Sequence, residues 1–216
     1  MITNDVLDYC FYHMMKCGGT TVRQSLLIDK DSKDSRGHFY KHLDLDQVPI
    51  DTTQYSNIFT VVRNPWERMA SLYWDIQTRF VELYRNESDE RLKRWYKEMF
   101  HVRSNFSDWL INTNYIHPFE YDFPNPNGLP LAAQRKSMSH TLGSRIDDVT
   151  VFRLEDGLYD LDQYLSKIYR GDWPVSHKHM NKSNKPDTWK EDYTQEAIDH
   201  VAKFFAEDIK RWNYDF

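Results

Sequence analysis

The chain has 216 residues, a length that suits one sizeable domain, and 40% of them are hydrophobic against 28% charged. A formal net charge of −5 gives no support to nonspecific binding of nucleic acid or of a membrane surface, so any anionic ligand must be held by local basic groups. Seven Gly and eight Pro rule out collagen-like or long disordered character, and no apolar run approaches the roughly 18 residues of a membrane span.

The first ten residues carry Asp5 and Asp8 but no Lys or Arg, the wrong charge pattern for a secretory or mitochondrial leader. A cytoplasmic protein is therefore expected. Its cysteines, Cys10 and Cys17, show no metal-type Cys/His spacing, so reduced thiols and no metal are expected. The Asn-x-Ser sequons at Asn86, Asn105 and Asn181 are chance matches in that setting.

Residues 9–14 (YCFYHM) form a short aromatic-rich run that reads as a buried strand. After Lys16-Cys17-Gly18-Gly19, Thr20 or Thr21 is placed to cap a helix running through Val22, Ser25, Leu26 and Leu27. The polar residues 29–37 predict a surface loop. Residues 58–62 (IFTVV) are the clearest strand, continuous and short enough to lie inside a parallel sheet. That strand stops at Arg63-Asn64-Pro65-Trp66-Glu67, a strong helix start with Asn64 as N-cap, Pro65 in the first position and Glu67 three beyond the cap. Met69, Tyr73, Ile76, Phe80 and Leu83 then fall on one helical face.

Residues 88–112 read as helical, and residues 113–130 carry four of the eight prolines among Tyr115, Phe119, Tyr121 and Phe123. A third strand is expected over residues 149–152. The last helix is expected from about 195 to 212, with a stripe of Ile198, Val201, Ala202, Phe205, Ile209 and Trp212. Strand, glycine turn and helix followed by two more strand–helix units predict an α/β fold with a parallel sheet. No linker divides the chain, so residues 1–216 are read as a single domain with a helical and aromatic insertion at about 86–135.

The glycine turn is the first functional signal. Glycines let the backbone turn tightly and bring several N–H groups to one point, and the helix N-terminus adds its partial positive charge, which suits phosphate or sulfate. Lys16 supplies a mobile full charge, and Thr20 and Thr21 supply hydroxyls. It is not a Walker A loop, because Lys precedes the glycines instead of following the second one, and magnesium-dependent phosphoryl transfer is accordingly disfavoured. Arg63 stands at the carboxyl end of its strand, where ligands of open α/β sheets bind, and Ser71 lies eight residues on, about two turns into the next helix. Together they are placed to share a second phosphate.

Taken together, FYHMMKCGGTTVRQSL and FTVVRNPWERMASLYW resemble the two phosphosulfate-binding elements of cytosolic and carbohydrate sulfotransferases. The first is similar to the family's Lys-Thr-Gly-Gly-Thr-Ser loop, and the second to its Val-Arg-Asn-Pro-x-x-Arg-x-x-Ser segment. VFRLEDG resembles the family's Arg-Phe-Glu-acidic stretch, and HMNKSNK with the final helix resembles the carboxyl-terminal His-x-Asn-x-Ser and last helix of the carbohydrate-type branch. The matching segments amount to nearly half the chain. The resemblance implies a three-layer P-loop-like α/β fold with a central parallel sheet flanked by helices. It also implies 3′-phosphoadenosine 5′-phosphosulfate (PAPS) as sulfuryl donor, with no metal. The implied acceptor is a hydroxyl of a sugar or glycan, and nucleic acid is not among the implied partners.

Carried over position by position, Lys16 contacts the phosphosulfate and its leaving oxygen. Cys17, Gly18, Gly19, Thr20 and Thr21 form the 5′ cradle, while Arg63 and Ser71 take the 3′-phosphate. Cys17 departs from the family's Thr and puts a thiol in the cradle, where a lowered pKa is expected. Lys182 and Lys185, before the last helix, are placed to close over the donor phosphates. His179, Asn181, Ser183, Arg153 and Glu155 match family positions without an assigned role, and Arg153 and Glu155 equally suit an internal ion pair. The base for the acceptor proton is expected to be His42, 21 residues before Arg63, with His38, Asp44 and Asp46 as other candidates. Two other readings compete: a catalytically idle protein that keeps the nucleotide site, and a P-loop-type small-molecule kinase.

Overall fold

The computed structural model describes residues 1–34, 44–48, 50–86, 88, 90, 105–112, 136–171, 173 and 185–216. Its five strands are β1 (Ile2–Asn4), β2 (Tyr9–Tyr12), β3 (Lys33–Asp34), β4 (Asn57–Val62) and β5 (Thr150–Arg153). Seven α-helices occur among the described residues: α1 (Gly19–Leu26), α2 (Pro65–Asn86), α3 (Phe106–Asn112), α4 (Met138–Leu142), α5 (Tyr159–Ile168), α6 (Gln195–Phe204) and α7 (Ala206–Trp212).

The strands form one sheet in the order β3-β1-β2-β4-β5. β2, β4 and β5 are parallel, with Tyr12 opposite Thr60 and Val62 opposite Arg153, as the strand–helix alternation predicts. The sheet as a whole is mixed, because β1 runs antiparallel to both β2 and β3. The short β1 and β3 were not legible as strands. Asn4 closes β1 by accepting from the N–H groups of Val6 and Leu7, and Asp8 takes a left-handed conformation (φ 54°) before β2.

Strand alternation divides the interior into two cores. Cys10, Tyr12, Ile58 and Val62 face one side, where they pack with Met69 and Leu72 of α2, Trp109 and Leu110 of α3, and Val201 of α6. Tyr9, Phe11, Phe59 and Val61 face the other, against Val22 and Leu26 of α1 and Leu161 and Leu165 of α5. Helices therefore cover both faces of the sheet, and β4 is buried along nearly its whole length, which is why it reads as an unbroken apolar run. Burying each such large apolar side chain contributes roughly 1.5–3 kcal/mol.

Three local expectations change. The cap of α1 is Gly18 (φ 73°, no side-chain bond) and not Thr20 or Thr21, because the helix begins at Gly19 and puts both threonines inside its first turn. The final helix is two, broken at Phe205 (φ −105°, ψ 25°), whose side chain is fully buried. Beyond the break, Asp208 is buried and accepts from the N–H groups of Met138 and Ser139, capping α4. Residues 29–37 are not wholly loop, since Lys33 and Asp34 pair with β1. The start of α2 is as expected, with Asn64 Oδ1 accepting from Trp66 N at 3.0 Å and Glu67 N at 3.2 Å. Most of the anticipated insertion at 86–135 and the side chains of Ile76, Phe80 and Leu83 lie outside the described residues.

Candidate anion site at the parallel strand ends

Because β2 and β4 are parallel neighbours in register, the chain leaves both at the same edge of the sheet. The glycine turn and the Arg63 turn thus meet. Arg63 Nη1 donates to the carbonyl of Lys16 at 3.2 Å. A second arginine, which sequence reasoning left unassigned, completes the link: Arg68 Nε donates to Met15 O at 3.0 Å and Nη1 to Lys136 O at 2.7 Å. Arg68 is almost fully buried, so its charge serves to fix the turn. Its place as the second arginine of the Arg-Asn-Pro-x-x-Arg segment was the available signal.

Lys16 (φ 60°) and Gly18 (φ 73°) both adopt the left-handed conformation, so the chain curls around Cys17. That curl turns the thiol inward. Cys17 Sγ donates to Met15 O at 3.3 Å and lies 3.6 Å from Met138 Sδ, fully buried. The expected low-pKa thiol in the cradle is therefore corrected: burial pushes Cys17 up to about 12. At Gly19 a Cβ would stand 2.2 Å from His13 Cδ2, so the ring of His13, stacked on Phe11, occupies the space any side chain would need.

Three of the cations around the turn, Lys16, Arg63 and Lys185, each have a carboxylate partner. Lys16 Nζ is 3.1 Å from Asp75 Oδ2 and its side chain is only 12% exposed, so it is not the mobile charge that its position suggested. Arg63 Nη2 donates to Glu67 Oε1 at 2.9 Å, and the same oxygen lies 3.3 Å from Lys185 Nζ. Lys185 also sits 4.9 Å above the Trp189 ring. Glu155 Oε1 accepts from Asn64 N at 2.6 Å. Burial raises the Glu155 carboxyl and lowers the Lys185 ammonium. At Glu67 burial also pulls upward, but the Arg63 hydrogen bond and the charges of Arg63 and Lys185 outweigh it and hold the carboxyl below its ordinary value.

Ser71 is buried on α2, one turn before Asp75 and on the same face of the helix. Thr21 is buried and Thr20 half-buried in the first turn of α1. Asp44 and Asp46, the other carboxylates considered as bases, are tied elsewhere. Asp44 takes Lys136 Nζ on both oxygens at 3.0 and 2.9 Å, and Asp46 accepts from Ser144 N and Oγ at 2.8 Å each. Arg153 does not pair with Glu155; it lies 3.4 Å from Asp156, donates to Trp212 O at 3.1 Å and covers the Tyr214 ring. His38, His42, His179, Asn181, Lys182 and Ser183 lie outside the described residues.

The cationic groups at these strand ends are the Arg63 guanidinium, bonded to the glycine turn through the Lys16 carbonyl, and the Lys185 ammonium, both already on Glu67. Arg63 Nε is buried and has no hydrogen-bond partner among the described residues. No cluster of metal-ligating side chains and no helix long and apolar enough to cross a membrane occurs among the described residues. Comparison with protein-family models, with curated proteins and with solved structures gave no match.

Proposed function

We propose that the chain is a sulfotransferase that moves a sulfuryl group from PAPS to a hydroxyl of a carbohydrate acceptor, on a P-loop-like fold. The observation that carries this reading is the 3.2 Å bond from Arg63 to the Lys16 carbonyl, which joins the two motifs at the carboxyl ends of β2 and β4. The residues fit a nucleotide with phosphates at both ends. The backbone from Cys17 to Thr21 takes the 5′ end, and Arg63, through its unpartnered Nε, takes the 3′-phosphate with Ser71. Lys185 and Lys182 belong to the segment that would cover it. Cys17 takes part through its backbone alone, since its thiol points away.

In the proposed reaction the acceptor oxygen attacks sulfur, the bond from sulfur to the leaving phosphate oxygen breaks, and the acceptor proton passes to a base, for which His42 remains the candidate. Lys16 balances the charge that builds on the leaving oxygen, and Asp75 hands it over as that charge appears. A second reading, a nucleotide-binding protein without transferase activity, is favoured by one observation: the Lys16 ammonium is held by Asp75.

Incubation with radiolabelled donor and a panel of glycans, lipids and phenols separates the two. Lys16→Ala is expected to slow transfer by at least about a hundredfold, the scale of a lost transition-state contact. Arg63→Ala should instead weaken donor affinity, read by calorimetry. Full activity and affinity in both variants would remove the site assignment, and tight donor binding with no transfer to any acceptor would favour the second reading.

A further inference from the structure

We propose that Glu67 is a resident anion in the seat of the donor's 3′-phosphate, which a ligand enters only by displacing the Glu67 carboxylate from Arg63 and Lys185. The proposal rests on the reading above, which puts that phosphate at Arg63. One oxygen of Glu67 is shared between a guanidinium nitrogen at 2.9 Å and an ammonium at 3.3 Å, the contacts a phosphate oxygen would make there.

The donors of Arg63 sort themselves accordingly. Nη1 is committed to the Lys16 carbonyl, Nη2 is taken by Glu67, and Nε is buried without a partner among the described residues. A phosphate reaching Nε therefore meets Glu67 at the neighbouring nitrogen, and two like charges cannot share the guanidinium without a large cost. The Trp189 face under Lys185 keeps the ammonium in place when Glu67 turns away. The device selects by charge. A dianionic phosphate attracts the two cations more strongly than a carboxylate does, whereas singly charged anions gain nothing by exchange. Glu67 thus sets both the affinity of the seat and the kind of anion it admits.

Glu67→Gln tests this directly, because the amide keeps an acceptor oxygen for Arg63 and removes only the charge. Adenosine 3′,5′-bisphosphate, 3′-AMP and 5′-AMP are titrated by calorimetry into the wild-type protein and the variant. The variant should bind the bisphosphate and 3′-AMP about tenfold more tightly, the direction set by removing a like charge, with 5′-AMP changed less than about twofold. Unchanged or weaker bisphosphate binding, or an equal gain for 5′-AMP, would overturn the role of Glu67 and leave the donor site standing. Failure of both proteins to bind the bisphosphate would overturn the donor site and this proposal with it. Glu67→Ala, measured in parallel, decides the matter should the amide variant not fold: it too must gain affinity.

Discussion

Gly19 shows how tightly the turn is specified by single residues. Its backbone is helical, so alanine would ordinarily be preferred there by up to about 1 kcal/mol. The His13 ring reverses that preference, because a Cβ would lie 2.2 Å from Cδ2 and the ring is braced by Phe11 at 6.2 Å. Gly19→Ala is expected to lower stability by about 1–3 kcal/mol in urea unfolding. His13→Ala in the same chain should recover most of the loss, since the two changes act on one contact. A Gly19→Ala protein as stable as wild type would refute the clash. The glycine pair was visible in the sequence as a turn, but the reason for the second glycine was not, because a neighbour six residues earlier supplies it. The same limit applied to Cys17. Position alone suggested a reactive thiol, whereas the left-handed residues on either side turn it into the core.

Among the elements, α2 was the most legible, since its cap, proline and acidic first turn all act within four residues. Asn64 has further duties that only the fold discloses. Its side chain caps α2, its Nδ2 donates to Asp215 O at 2.7 Å, and its N–H reaches Glu155. Asn64→Ala should therefore cost more than a cap alone, about 1–3 kcal/mol by chemical denaturation. Asn64→Ser, which keeps the cap oxygen but loses the reach to Asp215, should recover part of it; equal losses in the two variants would show that the cap contributes nothing. The break at Phe205 was hidden for the opposite reason. The apolar stripe runs through it without a Gly or Pro, and the interruption coincides with the tertiary placement of Phe205 in the core and Asp208 beneath α4.

At the scale of the whole molecule, the layered α/β plan and the parallel core followed from the order of strands and helices, while the antiparallel edge did not, because β1 has only three residues. Charge is distributed so that several carboxylates are held low in the native state. A hydrogen bond from Lys33 does this at Asp5, bonds from Ser144 N and Oγ at Asp46, and bonds from Thr53 at Asp51. The unfolded chain then binds more protons than the native one in mild acid, so this contribution is present above about pH 4 and is lost as the pH falls further. Burial raises Asp208 and Glu155, which act in the opposite sense and favour the native state where they are protonated. Urea midpoints measured against pH should fall on the acid side, and Asp46→Asn should flatten that fall; an identical acid limb in the variant would show that Asp46 plays no part.

The pairings around Arg63 and Asn64 also differ in how far apart their members are encoded. Arg63 finds Glu67 within one helical turn, but its bond to the Lys16 carbonyl spans 47 residues, and Glu155 reaches Asn64 across 91. Contacts between segments distant in sequence form late in folding. During synthesis from the amino terminus, the guanidinium is therefore neutralised as soon as its own helix winds, before Glu155 and Lys185 have left the ribosome. A nascent chain in which Arg63 is masked from the outset has one bare cation fewer to offer the polyanionic RNA around it.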